Sequence, residues 1–183
     1  MRAWRVGRPG PISGGPLVAD DCPDPRPGRG EVLLKVRVCG VCRTDLHLAE
    51  GDLEPRHPGT IPGHEVVGEV IGLGPGSARF GLGERVGVAW LGGTCGACRF
   101  CLRGQENLCL SPTFTGWDRD GGYAELITVA EDFAYRIPDA FSDEQAAPLL
   151  CSGIIGFRAL SRAELPIGGR LGIYGFGGSA HLA

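Results

Sequence analysis

Four cysteines within fifteen residues limit what this chain can fold into more than any other feature. Cys95-x2-Cys98-x2-Cys101-x7-Cys109 lies on a stretch with almost no apolar periodicity, so the segment has little to fold around except its own thiols. Thiolates about 2.3 Å from one Zn2+ close a tetrahedron from such spacing, and the ion then contributes folding free energy outright. An iron–sulfur cluster takes the same four-sulfur set, but nothing else in the sequence points to electron transfer. The chain has eight cysteines in all, and its start, Met1-Arg2-Ala3-Trp4-Arg5, lacks the apolar run of a signal peptide. That combination predicts metal or thiol chemistry in a reducing cytoplasm rather than disulfides.

A second concentration of chemistry is Cys39-Gly40-Val41-Cys42-Arg43-Thr44-Asp45-Leu46-His47, placed where an alternating run gives way to a short helical stretch. Alone it is ambiguous: Cys39-x-x-Cys42 reads as a redox pair, half of a zinc site, or two inert thiols. Further along, His64-Glu65 follows a Gly-Thr-Ile-Pro-Gly turn, and Cys151 lies in an apolar segment. Cys42, His64 and Cys151 make a Cys2His set, three ligands that leave a fourth position for water or substrate.

The remainder reads as strand-rich. Glycine (32) and proline (14) fall between alternating apolar runs, as turns should. Strands are expected over 3–6, 31–38, 65–72, 84–90, 123–129 and 133–137, forming a small barrel or sandwich. In the 31–38 run, Leu34, Val36 and Val38 are expected on one face and Lys35 and Arg37 on the other. Thr44 is expected to cap the following helix. Ser142-Asp-Glu-Gln145 is a capping box, and 146–165 is expected to be mostly helical. A β-like run, 170–174, then leads into Gly175-Phe-Gly177-Gly178-Ser-Ala180, a G-x-G-x-x-A turn suited to a dinucleotide phosphate. A net charge of −3 without a basic stripe argues against nucleic acid. No apolar run approaches the roughly 20 residues of a membrane span.

Taken in order, Cys-Gly-Val-Cys-Arg-Thr-Asp-Leu-His, Gly-His-Glu, the four-cysteine loop, Asp-Gly-Gly-Tyr-Ala-Glu and Gly-x-Gly-Gly-x-Ala resemble a zinc-dependent alcohol dehydrogenase of the medium-chain dehydrogenase/reductase superfamily. The resemblance covers the whole chain. It implies a mainly β, GroES-like partly open barrel over 1–145, with a structural zinc lobe at 93–112. Residues 146–183 would begin an α/β Rossmann domain that the family continues well beyond this point, so the chain resembles an N-terminal fragment, homo-oligomeric only in a full-length form.

By position, Cys42, His64 and Cys151 resemble the catalytic zinc ligands, Glu65 the acidic neighbour that can exchange onto the metal, and Asp45 the carboxylate that orients His64. Cys95, Cys98, Cys101 and Cys109 match the structural zinc. Thr44 and His47 resemble the proton relay, although a plain surface role for His47 stays open, as does a purely structural one for Glu65. Arg43 matches a position that meets the cofactor pyrophosphate, joined by Gly175, Gly177, Gly178 and Ala180. Trp90 and Trp117 fall where substrate-pocket walls are expected. Two zinc ions, NAD or NADP, and a small alcohol or aldehyde substrate are implied; a non-catalytic zinc module is the alternative.

Overall fold

The computed structural model describes residues 1–183. β1 (Arg2–Val6) and β2 (Leu17–Asp21) pair as an antiparallel hairpin. β3 (Glu31–Cys39) leads into α1 (Arg43–Glu50), and β4 (Val66–Leu73) and β5 (Arg85–Val88) follow. β6 (Leu91–Gly93) and β7 (Thr113–Phe114) pair across the cysteine lobe. β8 (Leu126–Ala130) and β9 (Ala134–Arg136) complete an antiparallel sheet of order β8-β3-β4-β5-β9, open at both outer strands.

One core fills the inner face of this sheet: Val32, Leu34, Val66, Val70, Val86, Val88, Ile127, Val129 and Ala134 close around Phe80. A smaller cluster lies on the opposite face, where Val67 and Ala89 meet Ala146, Ala147 and Leu150. These two clusters correct the alternation expected for β3. Pairing with β4 shifts register between Val36 and Val38, which leaves Arg37 as an extra residue. Such a bulge reverses which face the following residues take. Val36 therefore packs on the main core, Val38 on the second cluster, and Cys39 on the main core again.

The helical stretch is also broken up. α2 (Asp143–Ala146) keeps its capping box, with Ser142 Oγ accepting the Gln145 N–H. A tighter 3₁₀ turn over Ala147–Leu150 contains Pro148 and stops at Cys151, and α3 (Ser152–Ala163) starts afresh. Proline denies its own N–H to a continuous α-helix, so a break beside it is the expected cost. Residues 170–174 form no strand, because no second strand lies beside them to take their hydrogen bonds. The glycine turn does enter a helix, the short α4 (Gly178–Leu182), with Gly177 at its N-cap and Ala180 inside. No helix is long and apolar enough to cross a membrane.

Candidate metal centres and the aromatic wall

Cys42 sits at the junction of β3 and α1 and is itself the N-cap; Thr44, expected there, lies inside the first turn. The correction follows from Asp45, three residues on, whose Oδ2 accepts the Cys42 N–H at 2.8 Å. Its other oxygen, Oδ1, accepts the Gly63 N–H at 3.0 Å and stands 3.4 Å from His64 Nδ1. One buried carboxylate thus ties the loop bearing Cys42 to the loop bearing His64.

Gly63 has φ +100°, and a Cβ there would meet the Cys39 Sγ at 2.8 Å and the Tyr123 ring at 2.6 Å. The motif Asp120-Gly-Gly-Tyr123 holds the same loop from the other side. Asp120 Oδ1 accepts the Ile61 N–H (3.0 Å), and the Gly121, Gly122 and Tyr123 N–H groups donate to Ile61, Gly63 and Pro62 carbonyls. Locally the two glycines read only as a turn; the motif's contacts span about 60 residues of chain and leave no local signature.

Cys151 arrives from the second cluster. Its Sγ lies 3.4 Å from His64 Nε2 and 3.8 Å from Cys42 Sγ. Ligand atoms of Cys42, His64, Glu65 and Cys151 all fall within 4.8 Å of one another. Burial alone would raise the Cys42 thiol, but the Thr44 N–H and hydroxyl, with His64, hold it below its usual value. Cys151 goes the other way: His64 pulls it down, yet burial and the neighbouring Cys42 leave it raised. Two thiols beside one imidazole compete for a single negative charge. A divalent cation removes that conflict, because a coordinating thiol is deprotonated outright. The donor set therefore fits a zinc ion.

Cys39 is not part of this set. Burial pushes its thiol up to about 12, and all eight cysteines are unpaired. In the folded chain Cys39 is expected to resist alkylation at pH 8 until denaturant is added. Labelling there as fast as at the exposed Cys95 would show the thiol to be open.

The four-cysteine loop closes on itself. Sulfur separations are 3.5 Å for Cys98–Cys101 and Cys95–Cys109, and 4.0 Å for Cys95–Cys101. Four sulfurs about 2.3 Å from a tetrahedral ion would stand about 3.8 Å apart. Backbone N–H groups of Cys98, Cys95 and Ser111 point at these sulfurs from 3.3–3.4 Å. Backbone N–H groups of Cys101, Leu110 and Phe100 lower Cys98 to about 6, whereas Cys101 is raised to about 11 by desolvation and the adjacent Cys98 and Cys109. Like the first set, these crowded thiols fit a cation that would hold them as thiolates.

Beside the first set, the Trp90 ring meets His64 edge-on at 5.0 Å and stacks on Phe114 at 4.9 Å and Trp117 at 6.0 Å. Arg56 lies over Trp117 at 4.2 Å from its centroid. Both expected tryptophans thus share one wall, and Phe114, which the sequence did not single out, joins them. Thr44 Oγ1 approaches Cys42 Sγ at 3.7 Å. His47 is on the exposed side of α1, with Nδ1 2.9 Å from Asp52, and no hydrogen bond joins it to Thr44. Arg43 is exposed at the head of α1.

Residues 28–139 match the family model described as alcohol dehydrogenase GroES-like domain. The chain belongs to that family. A probable alcohol dehydrogenase of Mycobacterium tuberculosis is 58% identical over 187 residues, covering 100% of this chain and 54% of that protein. Among solved structures, a cinnamyl alcohol dehydrogenase from Sorghum bicolor superposes with TM-score 0.86 at 32% identity, over 99% of this chain and 53% of its own. A cobalt- and zinc-bound thermostable alcohol dehydrogenase from Pyrobaculum aerophilum gives 0.82 at 31% identity, over 90% of this chain and 49% of its own. The chain spans about half the length of these relatives.

Proposed function

We propose that this chain carries the metal- and substrate-binding half of a zinc-dependent alcohol dehydrogenase, a cytoplasmic enzyme interconverting an alcohol and its aldehyde or ketone with NAD or NADP. The observation that supports it most directly is the meeting of Cys42, His64, Glu65 and Cys151, which come from three separate parts of the chain, within 4.8 Å. In this reading residues 1–145 are the catalytic domain with its zinc lobe at 93–112, and 146–183 open the cofactor domain. Cys95, Cys98, Cys101 and Cys109 hold a structural ion. Cys42, His64 and Cys151 hold the catalytic one, with Glu65 able to exchange onto it.

Zinc held there would supply a Lewis acid that acidifies a coordinated hydroxyl, and a nicotinamide would supply the hydride acceptor. Cys42 and Cys151, as thiolates, would offset the charge of an ion held between them and His64. Asp45 fixes the His64 tautomer by facing Nδ1, which leaves Nε2 for the metal. The Thr44 hydroxyl both accepts and donates, so it can take the substrate's hydroxyl proton and pass it on. His47, steadied by Asp52 on the exposed side of α1, delivers that proton to solvent. The Trp90–Phe114–Trp117 wall excludes water and shapes the substrate side. Arg43 and the Gly175, Gly177, Gly178 and Ala180 turn face the cofactor.

The test is elemental analysis followed by turnover. About two zinc ions per chain are expected, one in each ligand set. The 183-residue chain should show little alcohol oxidation with NAD or NADP, because 170–174 lacks strand partners and Ile167 and Tyr174 are fully exposed. A version extended through a complete dinucleotide-binding sheet should turn over. Iron in place of zinc would refute the metal assignment. Two zinc ions with turnover by neither protein would favour the non-catalytic module.

A further inference from the structure

We infer that the outward face of β5 is a positioning surface for Cys151, with Gly87 as its decisive residue. The inference rests on the Cys42–His64–Cys151 metal reading above. β5 uses its two faces differently. Val86 and Val88 go to the main core, which leaves Arg85 and Gly87 pointing to the side where α2 and the 3₁₀ turn lie.

A glycine in the middle of a strand costs stability unless something must approach closely. Here Leu150 does. A Cβ at Gly87 would lie 2.8 and 2.9 Å from the two Leu150 methyls and 2.7 Å from Ile137 Cδ1, so Leu150 occupies the volume a side chain would take. Val67, paired with Gly87 in register, forms the floor of the same cradle with Ala89, Ala146 and Ala147.

Arg85, two residues before Gly87, fixes where the segment begins. Its guanidinium donates to the Phe141 and Pro138 carbonyls, both at 2.9 Å, and to Asp143 Oδ1 at 3.0 Å. The segment is therefore anchored on β5 at its entry by Arg85 and at its exit by Gly87. The exit anchor, Leu150, directly precedes Cys151. Metal–ligand distances tolerate only about 0.2 Å of error. A displacement of Leu150 by one methyl radius would carry Cys151 Sγ away from His64 Nε2 and Cys42 Sγ, now 3.4 and 3.8 Å from it.

The experiment measures zinc affinity at the two sites of the intact 183-residue chain by chelator competition. Cobalt substitution with its thiolate absorption serves as a second readout. Gly87→Ala, whose methyl the flexible tips of Leu150 and Ile137 can partly evade, should weaken the Cys42 site about threefold, and Gly87→Val about thirtyfold, within the range of outer-shell changes. The four-cysteine site should be unchanged in both. Adding Leu150→Ala to Gly87→Val reopens the cradle and should restore affinity to within about threefold of the parent. The inference is overturned if the variants bind like the parent, if both sites weaken together, or if Leu150→Ala restores nothing. Should Gly87→Val not fold, the same site-to-site ratio in Gly87→Ala decides. Cys42→Ser, measured in parallel, tests the metal reading by itself. Retention of both ions in that variant would refute the reading irrespective of Gly87.

Discussion

Replacing Cys101 with serine, or stripping the lobe with a chelator, is expected to unfold residues 93–112 while the five-stranded sheet survives. Within 93–112 only Cys109 is buried, and Leu102, Leu108 and Leu110 are all exposed. Its regular structure beyond the β6–β7 pair is two 3₁₀ turns of three residues each. Such a segment buries almost no apolar surface, so its order must come from the four sulfurs. Structural zinc binding in comparable small lobes is worth about 10–16 kcal/mol in apparent terms. Even a fraction of that exceeds what the lobe's own hydrogen bonds can provide. The sheet is independent of it, because Val32, Leu34, Val66 and Val86 pack without any lobe residue. Hydrogen exchange gives the measurement: the amides of Leu102, Arg103, Gly104 and Cys109, bonded to carbonyls inside the lobe, should lose protection. Val32 and Leu34 should keep theirs. Retained protection of the lobe amides after zinc removal would show that the loop folds without the ion. Because β7 continues into Phe114, the aromatic wall against His64 should loosen too, which Trp90 and Trp117 fluorescence can follow.

What the sequence made legible was chemistry carried by residue type and short spacing. The four cysteines, the Cys42 corner and His64-Glu65 announce their ligand character wherever they fold, and the structure brings each set together. Strand positions were also readable where a half-buried face imposes a period of two, as over Glu31–Val36. The pattern failed at Arg37, where one extra residue turns Val38 to the other side. A bulge inserts no unusual residue, so nothing in the local string marks it. The 170–174 run failed for a different reason. Its apolar residues suit a strand, but strand formation needs partners, and this chain sets none beside it. Least readable were the groups that position the ligands. Gly87, Arg85, Gly121 and Asp120 act on segments about 50–60 residues away in sequence. A single glycine among 32 does not reveal which neighbour fills its space.

Asp45→Ala is expected to have the larger consequence for the catalytic set, and the reason lies in how many groups one side chain satisfies. Asp45 is 5% exposed. It accepts the N–H of Cys42 through Oδ2 and that of Gly63 through Oδ1. Alanine leaves both donors without a partner, at roughly 1–3 kcal/mol for each that stays buried. Those donors belong to the two loops that carry Cys42 and His64, so the loss falls on the ligand geometry itself. The His64 ring also loses the carboxylate facing Nδ1, and with it the preference for presenting Nε2 to the metal. Loss of such a partner typically lowers metal affinity 10–100-fold. Asp45→Asn separates the two effects. One amide oxygen can still accept an N–H, so stability should fall less than in alanine, but the amide carries no charge to face the imidazole. The expected order of thermal stability is parent, then Asn, then Ala, while the zinc affinity of the Cys42 site drops at least tenfold in both. The four-cysteine lobe supplies the internal reference and should hold its ion throughout. An asparagine variant with parental zinc affinity at the Cys42 site would show that the Asp45 charge does not act on His64, leaving the carboxylate as a loop staple alone.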